Sequence, residues 1–302
     1  IIYFQYIIYK EKPDLVYTSF LSSYGILTSF LKFKCKSILS VWGTDVNGKV
    51  QNNIILQVLA KKALKSFYKI NSPAEHIRNK LILLGAEPEK IDIFQYGIEF
   101  EKYQKKDKFD IDGTVKIISI RNWDDLYNIE NVILAFDLFT KENKFDCELI
   151  LVGKGNQYKT SKIKKLLEKI DNDRIILKGF LPQKQLSYEL NTSNIVISIP
   201  SMDGTPLSLL EALYVGLCPI LSNIDANLEW VDKQHGFYVD PKQIASIKRA
   251  IEKSVSSMID EENDNLLIAN RHIVEAKASY KQNTNRLENL FIEAIYGGQK
   301  SL

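Results

Sequence analysis

The stretch Ile195-Val196-Ile197-Ser198-Ile199-Pro200-Ser201-Met202-Asp203-Gly204-Thr205-Pro206-Leu207-Ser208-Leu209-Leu210-Glu211-Ala212-Leu213-Tyr214-Val215-Gly216 decides how the chain reads. Ile195–Ile199 is short, apolar and β-branched and stops at Pro200, the pattern of a buried strand. A glycine-bearing turn follows, and then a helix start. Thr205 suits the N-cap, and Pro206 sits at the first helical position, where proline is best tolerated. Gly216 marks the end of that helix, and Cys218-Pro219-Ile220-Leu221 resumes as a strand. Strand, turn and helix start together make an anion site: the N–H groups of Thr205, Leu207 and Ser208 and the positive end of the helix dipole converge there. Asp203 and Glu211 frame it, Glu211 on the same side as Leu207 and Ser208 by helical spacing. A carboxylate beside an anion pocket is better placed to accept hydrogen bonds from sugar hydroxyls than to touch the anion. A turn Asp and an exposed helix Glu would read the same way in this window.

Outward from there the chain alternates. Ile1–Lys12 reads as a helix, Asp14–Thr18 as a strand, Ser23–Lys32 as a helix and Ser37–Trp42 as a strand. In Val50–Lys65, Ile54, Ile55, Val58, Leu59 and Ala63 fall on one face of a helix and Gln57, Lys61 and Lys65 on another. Tyr68–Ser72 and Ile91–Phe94 read as strands around a helix at Ala74–Leu84. A polar run, 104–113, is a candidate linker. The alternation then restarts at Val115–Ile120 and continues through Glu148–Val152, Arg174–Leu177 and Gly236–Pro241, with helical patterns between and beyond. Such alternation implies parallel sheets covered by helices, with ligands at the carboxyl ends of the strands. The expected domains are 1–103, a linker at 104–113, 114–280, and a C-terminal helix at 281–302 that packs back on the first domain.

Composition excludes several classes. The 302 residues carry 40 basic and 37 acidic side chains, a balance unsuited to a dedicated nucleic-acid binder. No apolar run reaches the ~20 residues of a membrane span. Three unclustered cysteines (Cys35, Cys147, Cys218) read as buried thiols in a reducing compartment. No metal-ligand spacing occurs, so neither a metal nor a cofactor is expected. Lys61, Lys62 and Lys65 with Lys32, Lys34 and Lys36 form either a solvated face or a basic surface for peripheral contact with anionic lipid.

The 195–216 segment resembles the donor-site signature of family 4 glycosyltransferases, retaining enzymes of the GT-B fold, whose motif is two Glu with seven residues between them. Here it stands as Asp203-x7-Glu211-Ala212, with Asp for the first Glu. Lys12-Pro13-Asp14-Leu15-Val16, Trp42-Gly43-Thr44-Asp45, Asn71-Ser72 and Tyr96-Gly97-Ile98-Glu99 are similar to pieces of the same family's acceptor domain. The resemblance implies an α/β GT-B architecture: two doubly wound parallel-sheet, Rossmann-like domains facing a cleft. It covers nearly the whole chain and is strongest over 115–241. The glycine-rich loop that opens many relatives is absent before residue 14, so the N-terminal domain is expected to be incomplete.

The implied reaction transfers a sugar from a UDP- or GDP-linked donor to a hydroxyl of a glycan or lipid-linked acceptor. It proceeds with retention and without metal, in a cytoplasmic enzyme of bacterial cell-surface polysaccharide synthesis at the inner face of the membrane. By the same resemblance Arg121 holds the diphosphate with the turn Gly204, Thr205, Pro206, Leu207 and Ser208. Glu211 holds the ribose and Asp203 contacts the sugar. Gly153, Lys154 and Gly155 lie on the donor side, and Gly179-Phe180 is similar to the turn whose backbone contacts the nucleobase, the Phe180 side chain itself being expected in the core. Tyr127 stands where the family has a phosphate-binding Lys, with Lys154 or Lys178 as substitutes, and Tyr17-Thr18-Ser19 stands where many relatives have a His. Asp45 either orients the acceptor hydroxyl or shapes its own turn. These departures also fit a non-catalytic nucleotide-sugar-binding or partner subunit derived from such an enzyme. A GT-B epimerase would need more histidine than this chain has.

Overall fold

The computed structural model describes residues 1–106, 113–143, 145–259 and 264–297. The chain forms two compact units: Ile1–Gly97 with Asp203–Thr205 and Tyr280–Leu302, and Ile98–Met202 with Pro206–Ser279. The units part at Gly97–Ile98, and most of the expected linker, 107–112, lies outside the described residues.

In the first unit α1 (Ile2–Glu11), β1 (Leu15–Ser19), α2 (Ile26–Thr28), β2 (Lys36–Ser40), α3 (Ile54–Ser66), β3 (Lys69–Ser72), α4 (Glu75–Leu83) and β4 (Ile91–Ile93) build a parallel sheet in the order β1-β2-β3-β4. Its core joins Leu39, Val41 and Ile70 to Leu64, Phe67, Ile77 and Leu81. The helix expected over 23–32 is reduced to a π-helical turn, Leu21–Gly25, and the single turn of α2. Beyond it the backbone of Lys32 pairs at both N–H and C=O with the Gln5 side chain, at 2.8 Å each, instead of extending a helix.

The expectation for α3 needs a larger correction. The helix begins at Ile54, capped by the Asn53 side chain, which accepts from Ile55 N (3.0 Å) and Leu56 N (3.2 Å). Ile54, Ile55 and Val58 are 72%, 67% and 64% exposed, whereas Ala60, Ala63 and Leu64 are fully buried. The β-branched trio faces out, beside the lysines, while Ala63 of the expected face turns inward with Ala60 and Leu64.

The second unit contains β5 (Val115–Ser119), α5 (Ile129–Glu142), β6 (Cys147–Val152), α6 (Gln157–Ile170), β7 (Ile175–Gly179), α7 (Gln183–Thr192), β8 (Ile195–Ser198), α8 (Leu207–Val215), β9 (Cys218–Ser222), α9 (Asp225–Leu228), β10 (Phe237–Val239), α10 (Ile244–Ile259) and α11 (Asp264–Lys277). All six strands are parallel, in the order β10-β9-β8-β5-β6-β7. That is the doubly wound arrangement, and its strand order reverses between β5 and β8. Period-2 alternation loads both faces. Val115, Ile117, Leu149, Leu151, Ile195 and Ile197 enter one core with Phe136 and Phe139 of α5 and Ile251 and Val255 of α10. Ile118, Ile150 and Val196 enter the other with Leu209, Leu210 and Leu213 of α8 and Val274 of α11. Burial pushes the Cys147 thiol up to about 12 and also raises that of Cys218, while Cys35 is half-buried.

After α11 the chain returns to the first unit as α12 (Tyr280–Tyr296). Leu290 and Ala294 pack on Ile38 and Phe94, and the Tyr68 hydroxyl donates to Glu293 Oε1 (2.8 Å).

Opposite substitutions test the corrected face of α3. Val58→Lys should leave the denaturant midpoint within about 0.5 kcal/mol of wild type. Leu64→Ala should cost about 2–5 kcal/mol, measured by the same urea titration.

Candidate functional site

The carboxyl ends of β5 and β8 flank the point where the strand order reverses, and side chains from both meet there. Arg121, two residues past β5, is only 7% exposed, and its Nε donates to Ser198 Oγ at the end of β8 (2.8 Å). Its guanidinium lies 5.1 Å from the centroid of the Tyr127 ring. Tyr127, placed by sequence where the family carries a Lys, is thus the aromatic surface under Arg121.

The loops around this arginine are laced together. Asn128, in the left-handed region at φ 55°, donates from Nδ2 to Ile199 O (2.8 Å), Ser201 Oγ (3.0 Å) and Leu126 O (3.2 Å). Ser201 N donates to Leu126 O (2.8 Å). On the other side Trp123 N reaches Lys154 O (3.0 Å), and Gly153 N reaches Gly179 O (2.9 Å). Gly153 is confined to glycine: its φ is +143°, and a Cβ there would lie 2.3 Å from Arg121 O. Gly155 follows in the same loop and accepts through its carbonyl from Thr160 Oγ1 (3.2 Å). Phe180 is exposed rather than packed in the core as expected, and Lys154 stands 5.1 Å from its ring centroid. Lys178 is spoken for by an ion pair with Glu189 (3.0 Å). Of the two lysines offered by sequence as phosphate ligands, Lys154 alone lies beside Arg121's loop.

Glu211 projects from the second turn of α8. Burial raises its carboxyl above the usual carboxylate range, opposed by a hydrogen bond from the Tyr103 hydroxyl and by the charges of Arg121 and Lys102. Burial likewise raises Tyr103, with the Glu211 charge adding to it. Tyr103 was invisible in the sequence, because a single aromatic residue at the edge of a charged run has no distinguishing spacing. Ser198 and Asn128 were hidden for a similar reason, one inside a strand pattern and the other inside a loop.

The turn before α8 differs from expectation. Pro206, not Thr205, occupies the N-cap, and its carbonyl accepts from Leu209 N (2.8 Å) and Leu210 N (3.1 Å). Leu207 and Ser208 therefore form the first helical turn, whose N–H groups have no acceptor within the helix. The Thr205 hydroxyl donates to Pro73 O (2.7 Å), a tertiary acceptor that displaces the cap. Asp203, Gly204 and Thr205 group with the first unit. There the Asp203 carboxylate accepts from Gly204 N (2.8 Å), and its carbonyl accepts from Asn47 Nδ2 and lies against His76 Nε2, both at 3.4 Å. Gly204 tolerates no side chain, since a Cβ would fall 2.3 Å from Trp42 O.

Asp45, also in the first unit, is buried. Its Oδ1 accepts from Trp42 N (3.0 Å) and Gly43 N (2.9 Å), and its Oδ2 accepts from Leu21 N (2.7 Å). Burial raises its pKa despite these bonds. Its oxygens hold two turns together, in keeping with the turn-shaping one of the two readings its sequence allows. Among the described residues no group of three or more His, Cys, Asp or Glu could hold a metal ion, and no helix is long and apolar enough to cross a membrane.

A doubly wound unit with a buried arginine and a helix-borne glutamate at its crossover, beside a second parallel α/β unit, defines a GT-B glycosyltransferase architecture. Residues 100–271 match the model of glycosyl transferases group 1, and residues 1–73 match that of glycosyl transferase 4-like proteins. The chain belongs to the group 1 glycosyltransferase family. It is 30% identical over 157 residues to the amylovoran biosynthesis glycosyltransferase AmsK of Erwinia amylovora. That match spans 48% of this chain and 37% of AmsK. Among solved structures it is similar to sucrose-phosphate synthase from Thermosynechococcus elongatus, with a TM-score of 0.79 at 14% identity over 98% of this chain and 77% of that one. It is also similar to Anabaena HepE in complex with UDP and glucose, with a TM-score of 0.76 at 13% identity over 95% and 80%.

Because the folded pKa of Glu211 lies above its unfolded value, ionising it costs the fold free energy. That cost appears as pH rises past the ordinary carboxylate value and is complete above the raised pKa. Glu211→Gln should therefore be more stable than wild type at pH 7, with the gap closing in acid, as read by thermal unfolding across pH. Tyr103→Phe removes a bond to the carboxylate form and should move the Glu211 titration, followed by carboxyl-carbon NMR, to higher pH.

Proposed function

We propose that the chain transfers a sugar from a nucleotide-sugar to an acceptor hydroxyl, with retention at the anomeric carbon and without metal. The observation that carries this reading is the buried Arg121, braced by Ser198 and Tyr127 at the crossover of the second unit. A guanidinium is costly to bury unless an anion or hydrogen bonds repay it, and its fork suits phosphate oxygens. Arg121 and the N–H groups of Leu207 and Ser208 hold the diphosphate, with Lys154 adding charge. Glu211, steadied by Tyr103, accepts from the ribose hydroxyls, and Asp203 contacts the sugar. Phe180 borders the nucleobase.

In the proposed step the bond from the anomeric carbon to the diphosphate oxygen breaks, and the nucleoside diphosphate leaves with the electron pair. The acceptor oxygen bonds to the same face of that carbon, and its proton passes to the departing phosphate. The protein supplies charge and position rather than a nucleophile. UDP or GDP is the expected carrier; HepE, whose structure holds UDP and glucose, and AmsK, named for amylovoran biosynthesis, support a sugar-nucleotide donor and a bacterial polysaccharide product.

Calorimetric titration of UDP and GDP tests the reading. One of the two should bind the wild type, in the presence of EDTA as well, and Arg121→Ala and Glu211→Ala should each weaken it by about tenfold or more. Binding of neither nucleotide would sink the proposal. Binding without slow hydrolysis of any UDP- or GDP-sugar would assign the chain instead to a non-catalytic nucleotide-sugar-binding role.

A further inference from the structure

Two aromatic residues of the first unit stand at neighbouring strand ends. Phe20 directly follows β1, and Trp42 lies two residues past β2, its register partner. Their rings are stacked, 5.5 Å between centroids and 2° from parallel. Although large and apolar, they remain 37% and 42% exposed. Carboxyl ends of parallel strands are where open α/β sheets bind ligands.

The backbone beneath them is built to hold this pose. Phe20 has φ 68° and ψ 102°, a strained conformation for a residue with a side chain. Such strain persists only where the surroundings impose it. Phe20 N donates to Ser40 O (3.0 Å), and Gly25 N donates to Phe20 O (2.9 Å). The Asp45 carboxylate spans the two turns, taking Leu21 N on one oxygen and Trp42 N and Gly43 N on the other. A single buried carboxylate thus sets the spacing of both rings.

Polar groups rim the array. Tyr96 lies against Trp42 at 5.1 Å and 37°, and its hydroxyl pairs with that of Tyr17 (3.0 Å). Burial and the Tyr17 hydroxyl push the Tyr96 phenol up to about 12, so it stays protonated and able to donate.

Apolar ring faces bordered by hydroxyls match a hexopyranose, which presents a face of C–H groups edged by hydroxyls. We propose that Phe20 and Trp42 form a stacking platform for a pyranose ring of the acceptor, with the Tyr17–Tyr96 pair reading its hydroxyls. This rests on the sugar-transfer reading above and deepens it. An isoprenoid chain would use the rings but leave the phenol pair without purpose.

The three tryptophans make a convenient probe, since Trp123 and Trp230 are buried and Trp42 is not. Acrylamide quenching of tryptophan fluorescence, and saturation-transfer NMR of ring C–H protons, should be followed with a panel of methyl hexopyranosides at millimolar concentration. At least one should protect the fluorescence and receive saturation. Trp42→Leu should abolish both signals, and Phe20→Gly, which also relieves the strain, should weaken binding about fivefold. Trp42→Phe should keep the NMR signal. UDP or GDP binding should be unchanged in every variant, which shows that each is folded.

If no pyranoside acts on the wild type while the nucleotide still binds, the platform is wrong and the transferase reading stands. The same holds if farnesyl phosphate protects Trp42 and no sugar does. Protection by a pyranoside without any nucleotide binding would uphold the platform and remove the donor reading.

Discussion

A guanidinium with almost no access to water is the constraint from which the second unit's architecture follows. Arg121 is held past the end of β5, beside the end of β8, where the strand order reverses. Ser198 takes its Nε and Tyr127 lies under its plane. Asn128 then ties the arginine's loop to the exit of β8, and Gly153 lets the exit of β6 approach to within reach of Arg121's own carbonyl. Each brace is worth about 1 kcal/mol. Their common effect is a cation held in one place, where a flexible lysine would range over several. Glu211 completes the set: its own burial opposes its charge, and the Tyr103 hydroxyl offsets part of that penalty.

Much of this was legible in the residues. The strands of the second unit are buried on both faces, so they read as unbroken β-branched runs, and their alternation with amphipathic helices dictates a parallel sheet. Arg121 and Glu211 stood out through motif spacing. What failed to show did so for physical reasons. The hydroxyl of Thr205 chose Pro73 O over the helix it could have capped, a tertiary preference no local pattern encodes. In α3 periodicity found a helix, but of the face it grouped only Ala63 and Leu59 pack inward, while Ile54, Ile55 and Val58 are exposed. Tyr103 acts through a partner distant in sequence, and nothing in its neighbourhood announces it.

Asp45 illustrates how one residue type serves two readings. An aspartate after Gly43-Thr44 fits a turn and fits a ligand contact equally well. The deciding fact is the hydrogen-bond inventory: one oxygen is taken by two backbone N–H groups and the other by a third. A carboxylate so committed organises what stands on its turns, here two aromatic rings.

The return of α12 to the first unit has a consequence for how the chain comes into being. Ile38 and Phe94 are strand-side residues whose covering, Leu290 and Ala294, is encoded roughly two hundred to two hundred and fifty residues later. On the ribosome the second unit, from Ile98 to Ser279, is nearly all in hand before that covering emerges. The first sheet to be made is therefore the last to be closed. Until then it exposes an apolar face, so the nascent chain has most to gain from chaperone protection in its earliest-made part.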